Sequence, residues 1–386
     1  MKKFLIFLII ILTCFSFNIK TNLVYASNNS YDESINEILG GIKEEDFIGV
    51  NDVLNEFFNE EISFKERLKK FITGEANLDV YNILSSFIFG FTSSENSFFK
   101  VLIYLLFMGI LCSVINIILS KNNENIENNT IFFIFYTLII TAGSLLIGEL
   151  IYNAEEIVFN LSKTTELLFP LMFSISSLCG NFGVSVYKPL TSFISYFSSV
   201  ISVKFLLPLL VVGATLLLVA NLSENVKISG IYKTIFSFYK WCLGIIGIAY
   251  TVILAVQGIV NASYNGISVK ILKYATGSMV PIVGGFLSGG IDVMLSSAIL
   301  IKNSIGLFAV IFLILKVGGA GIGFIFTSFL IKFSSSICEP ILDKRFYKFL
   351  IGLSDVINYL ASLIFLIGYM YFITVVGFIF STISVI

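Results

Sequence analysis

The sequence predicts an all-α fold: a polytopic membrane helix bundle preceded by a signal peptide and a small helical extracytoplasmic domain. Three observations carry this. The 386 residues are 56% hydrophobic and only 13% charged, with a mean hydropathy of +0.94, against about 25% charged in a soluble domain. Apolar runs of twenty residues or more recur from Phe98 onward, each long enough to span a bilayer as a helix. Before them, residues 27–97 turn acidic and amphipathic.

The first 26 residues have the three parts of a secretory signal. Lys2 and Lys3 precede an apolar core from Phe4 to Phe17, and Val24-Tyr25-Ala26 places small residues at a cleavage site after Ala26. An uncleaved anchor is the competing reading. Thr13 before Cys14, with the apolar core continuing past it, argues against a lipoprotein. In residues 27–97 two capping-box spacings, Ser30 to Glu33 and Ser63 to Glu66, each precede apolar residues at helical intervals. The second opens a helix carrying Leu68, Phe71 and Ile72 that Gly74 can end. With the signal removed, this domain lies outside the cytoplasm; its acidic face is either a solvated surface or a partner-docking arm.

Residues 98–386 form the transmembrane domain, with uninterrupted spans expected at 98–119, 131–152, 190–221, 234–260, 304–331 and 354–386. Two more apolar stretches, 167–187 and 278–301, contain Pro170 and Pro281. In the second, Gly284-Gly285 and Gly289-Gly290 are expected to break any continuous helix around the carboxylate of Asp292. Irregular backbone at membrane depth is tolerated where protein buries it or water lines it, so both stretches read as re-entrant or broken segments. A kinked helix with closely approached glycines is the alternative.

Positive charge prefers the cytoplasmic side. If only the six uninterrupted segments cross, Lys227, Lys233, Lys332, Lys344, Arg345 and Lys348 all fall inside, and the N-terminal domain and the C-terminus fall outside. Lys270 and Lys273, placed outside, dissent. An internal repeat over 160–221 and 270–331 fits the same scheme. Pro170, Ser177, Gly180, Lys188 and Lys204 recur in order as Pro281, Ser288, Gly290, Lys302 and Lys316. Paired interrupted segments mark translocation sites in transporters.

The chain has no histidine, which removes the commonest general base and metal ligand. Its five cysteines form no CxxC pair, and no phosphate loop, metal cluster or redox centre is present. With a formal charge of -1 and no basic run, nucleic acid is not an expected partner. No enzyme and no cofactor are expected. The residues singled out are Pro170, Lys204, Pro281, Gly284, Gly285, Gly289, Gly290, Asp292, Lys302 and Lys316, because ionisable groups and breakers inside apolar segments line pathways or pack bundles. Asp292 is expected to pair with Lys316 or Lys204. Gly319 and Gly323 supply a GxxxG spacing for helix–helix contact.

Lys273–Gly277 (KYATG), Val280–Gly284 (VPIVG), Asp292 and Leu300–Gly306 (LIKNSIG), together with Pro170 and the signal-plus-acidic-domain layout, resemble the stage III sporulation protein AE family of endospore-forming Firmicutes. The resemblance implies a polytopic component of the channel complex by which a mother cell supports the engulfed forespore and its late gene expression. It implies as partners a secretion-type ATPase, small membrane proteins and ring-forming proteins between the two membranes, into which space the N-terminal domain would project. A self-sufficient secondary transporter, with its site between the two interrupted segments, is the competing reading.

Overall fold

The structure, a computed structural model, describes residues 61–73, 125–178, 197–220, 229–279 and 284–380, with single positions within 48–55 and 103–114. The signal peptide, most of the acidic domain, Pro281 and much of the 98–119 span lie outside the described residues. The described residues are helical except at 61–63 and a turn at 339–343. The helices are α1 (Phe64–Thr73), α2 (Asn125–Leu178), α3 (Leu207–Ala220), α4 (Ser229–Met279), α5 (Gly284–Leu313), α6 (Gly319–Cys338) and α7 (Lys344–Phe380). Two π-helical stretches interleave with them, Phe197–Leu206 before α3 and Ile314–Gly318 between α5 and α6.

Helix ends follow from local chemistry. Ser63 Oγ accepts the Glu66 amide at 3.3 Å and so starts α1 as the capping-box spacing predicts. Pro340 stands in the 339–343 turn, where the Ile341 and Leu342 amides both bond the Cys338 carbonyl at 2.9 Å. Asp343 then caps α7: its Oδ1 accepts the Arg345 amide at 2.8 Å, and its backbone amide donates to Ser113 Oγ at 2.9 Å.

Two expectations are corrected. Pro170 does not interrupt its segment, because α2 runs through it to Leu178. Nor do Gly289-Gly290 break the chain, since they lie within α5, which runs from Gly284 to Leu313; α4 ends at Met279, and the break expected around Pro281 and Gly284-Gly285 falls on residues 280–283, outside the described residues. The reason is the same in both cases. One missing amide, or a cost of about 1 kcal/mol per glycine, is small beside the alternative of unpaired backbone groups in an apolar medium. Stretches 131–152 and 167–187, expected as separate segments, share one 54-residue helix as far as Leu178.

Contact offsets give the helix directions. Tyr239 OH donates to the Tyr359 carbonyl and Tyr250 OH to the Met370 carbonyl, both at 3.2 Å. Each pair is 120 residues apart, so α4 and α7 are parallel over three turns. In α2, Gly143 faces the Phe349 ring, and Phe169 and Phe173 meet Tyr371 and Phe378, so α2 is also parallel to α7. The run from α5 through α6 is antiparallel to α7, as Gly306 faces Ile379, Val317 faces Gly368 and Ser328 bonds Ser354. Phe64 on α1 packs on Phe308 with ring centroids 5.6 Å apart, near the C-terminal end of α7.

Candidate functional site

Among the described residues, five helical stretches are long and apolar enough to cross a membrane: Thr137–Ile175, Val200–Ala220, Gly230–Ala255, Ser297–Cys338 and Lys344–Ile379. Between helices in lipid, packing and hydrogen bonds replace the hydrophobic drive. The α6–α7 hairpin has both. Ser328 and Ser354 each donate to the other's carbonyl, at 2.8 and 2.9 Å. A Cβ on Gly321 would lie 2.5 Å from the Phe365 ring, and one on Gly368 would lie 2.5 Å from Val317. The GxxxG pair, Gly319 and Gly323, is not part of this contact; a Cβ on either meets nothing within 4 Å.

Lys302 is buried, unlike Pro170, Lys204 and Lys316 among the predicted residues whose side chains are described. Its side chain is fully enclosed, and Nζ donates to the Phe378 carbonyl at 2.7 Å and to the Ile379 carbonyl at 3.4 Å. The ammonium is thereby hydrogen-bonded to the backbone of a neighbouring helix, and Phe169, Phe173 and Phe378 pack around that part of α7.

Lys204 and Lys316, paired in the proposed repeat, both fall in π-helical stretches, Phe197–Leu206 and Ile314–Gly318. Such stretches often accompany functional sites. Lys204 is exposed and Lys316 half-buried. No contact between them is found among the described residues. Gly284, Gly285, Gly289, Gly290 and Asp292 all sit on the helical backbone of α5; the Asp292 side chain, and hence its expected pairing, lies outside the described residues. Pro170 is exposed on α2, its carbonyl accepting from Ser174 Oγ at 3.0 Å. Lys240 reaches over the Tyr359 ring, 4.9 Å from its centroid.

Sequence reasoning passed over a different cluster. Glu155, Glu156, Lys163 and Glu166 fall within one uninterrupted stretch of α2. The available signal was the lack of any glycine or proline between Gly148 and Pro170, which leaves nothing to end a helix between the two apolar runs. No group of described residues could hold a metal ion. The fold and these side chains define a multi-pass α-helical membrane protein with ionisable groups inside its bundle-forming helices.

A family model for stage III sporulation protein AE matches residues 62–382, and the chain belongs to that family. It is similar to the stage III sporulation protein AE of Bacillus subtilis (strain 168), 21% identical over 316 residues, covering 81% of this chain and 78% of the relative. No solved structure matches it.

Proposed function

We propose that the chain is an integral component of the channel complex between mother cell and engulfed forespore, carried in the mother-cell membrane and supporting late forespore gene expression. The observation that supports this is the conjunction of a sporulation family match over residues 62–382 with five spanning-capable helices. In this reading the N-terminal domain lies in the intermembrane space, where α1 packs against Phe308. A secretion-type ATPase, small membrane proteins and intermembrane ring proteins are its partners.

The test is a sporulating strain in which the tagged full-length chain is the sole copy. Co-purification of those partners, with loss of a late forespore reporter on deletion of the chain, supports the proposal. Solute uptake by the purified chain alone in vesicles, with no partner recovered, would replace it with the transporter reading.

A further inference from the structure

Among the described residues, Gly230–Ala255 is the least enclosed of the five spanning-capable stretches, 11% buried against 28% or more in the others. Its outer side is not flat. A groove of about 510 Å³ runs between α4 and α7, lined by Gly244, Gly247, Ile248 and Val252 of α4 and by Leu366 and Tyr369 of α7. Missing side chains make the hollow: a Cβ on Gly244 would meet nothing within 4 Å, and one on Gly247 would lie 3.2 Å from Leu366. From Leu243 to Val252 the groove extends about 14 Å along α4, close to half of the roughly 30 Å hydrocarbon thickness and so to the depth of one leaflet.

The floor and the mouth of this groove differ in chemistry. On the floor, Thr251 Oγ1 donates to the Gly247 carbonyl at 2.8 Å, which leaves the Tyr369 hydroxyl to donate to Thr251 Oγ1 at 3.0 Å. These polar atoms are matched within the protein, so an occupant needs to supply only apolar contact. At the mouth, Lys233 and Lys240 are exposed. Positions 233, 240, 244, 247 and 251 lie seven, four, three and four residues apart, which puts both lysines on the groove side of α4. Lys240 Nζ sits 4.9 Å from the centroid of the Tyr359 ring on α7, so it stands where the two helices meet. Trp241, 65% exposed, lies one turn before Gly244. Lysine marks the cytoplasmic side of a membrane and tryptophan its interface with water.

We propose that this groove binds an anionic phospholipid of the cytoplasmic leaflet, with an acyl chain along Gly244 and Gly247 and the phosphate against Lys240 and Lys233. Charge complementarity selects the occupant. A zwitterionic lipid fills the hollow equally well, but each lysine beside a net negative headgroup adds about fivefold in affinity. An apolar helix laid in the groove would cover Lys240 and supply no counter-charge. The site depends on neither the channel nor the transporter reading.

Trp241 is the sole tryptophan of the chain, and its place at the mouth makes it the reporter. The full-length chain is purified and returned to vesicles of phosphatidylglycerol and phosphatidylcholine, in which one lipid or the other carries bromine in its acyl chains and quenches tryptophan on contact. Brominated phosphatidylglycerol is expected to quench Trp241 as a ligand bound about fivefold or more tighter than brominated phosphatidylcholine. That preference is expected to shrink at high salt and in Lys240→Gln. Gly244→Leu fills the hollow while both lysines remain, and it is expected to abolish the preference. Unchanged melting temperatures in detergent check that both variants fold.

Equal quenching by the two lipids would overturn the anionic ligand. A preference that survives Gly244→Leu would overturn the groove as the seat and leave only attraction of headgroups to a basic rim. Should that variant not fold, Lys240→Gln decides alone, since an unchanged preference there removes the headgroup contact. Quenching by neither lipid would mean that a partner helix or another segment of this chain covers the groove, and the lipid site would be gone.

Discussion

Lys302 shows how a single charged residue can be structural at membrane depth. In sequence it stood out as the repeat counterpart of Lys188 and within the LIKNSIG motif, and its partner was not legible, because the two carbonyls it bonds are 76 and 77 residues away. Replacing it with methionine keeps most of the volume but removes both hydrogen bonds to α7. The cost expected is about 1.5–3 kcal/mol for hydrogen bonds made by a charged group, seen as a lower melting temperature of the purified protein in detergent. A wild-type melting temperature would show that these bonds contribute nothing measurable. Tyr250 gives a companion case. Its hydroxyl bonds Met370 and Thr374 on α7, so Tyr250→Phe is expected to cost about 0.5–1.5 kcal/mol in the same assay. Val252→Ala on the exposed side of α4 is expected to change little.

The helices themselves were legible wherever apolar length or capping chemistry fixed them. Ser63 and Glu66 start α1 as their spacing predicts, and the expected spans 234–260, 304–331 and 354–386 overlap the apolar stretches Gly230–Ala255, Ser297–Cys338 and Lys344–Ile379, with the last two beginning earlier than hydropathy places them. The glycine and proline rules misled because they measure preference in water. In a bundle the backbone bonds have no competitor, so α2 continues past Pro170 and α5 past Gly290. The same logic ranks the glycines of α6, which the GxxxG spacing could not. Gly321→Val drives a branched side chain into Phe365 and is expected to weaken the hairpin by about 1–3 kcal/mol, while Gly323→Ala, with nothing within 4 Å, is expected to be neutral. Comparing the two variants' expression and thermal stability checks this; equal loss at both sites would mean the α6–α7 contact lies on the other glycine face.

At the scale of the whole molecule, the contact registers bring to one end of the bundle several of the basic residues that charge counting placed on one side. Because α4 and α7 are parallel, the start of α4 with Lys233 lies at the same end of the bundle as Lys344, Arg345 and Lys348. Lys332, near the end of the antiparallel α6, lies there too. Ser113 bonds the Asp343 amide at this end, whereas α1 packs on Phe308 toward the other. Because positive charge prefers the cytoplasmic side, the cluster of basic residues predicts a cytoplasmic 339–343 turn. The 42 residues of Ser297–Cys338 extend about 60 Å, roughly twice the hydrocarbon thickness, so this rod must tilt or stand clear of the bilayer. A protease site inserted in the turn is therefore expected to be cut only from the cytoplasmic side, and one placed before Ser63 only from the opposite side. Cleavage of both from one side would require α1 to leave Phe308 and would break the link between register and topology, since parallel α4 and α7 cannot then carry their basic ends inward while the N-terminal helix sits at the far end.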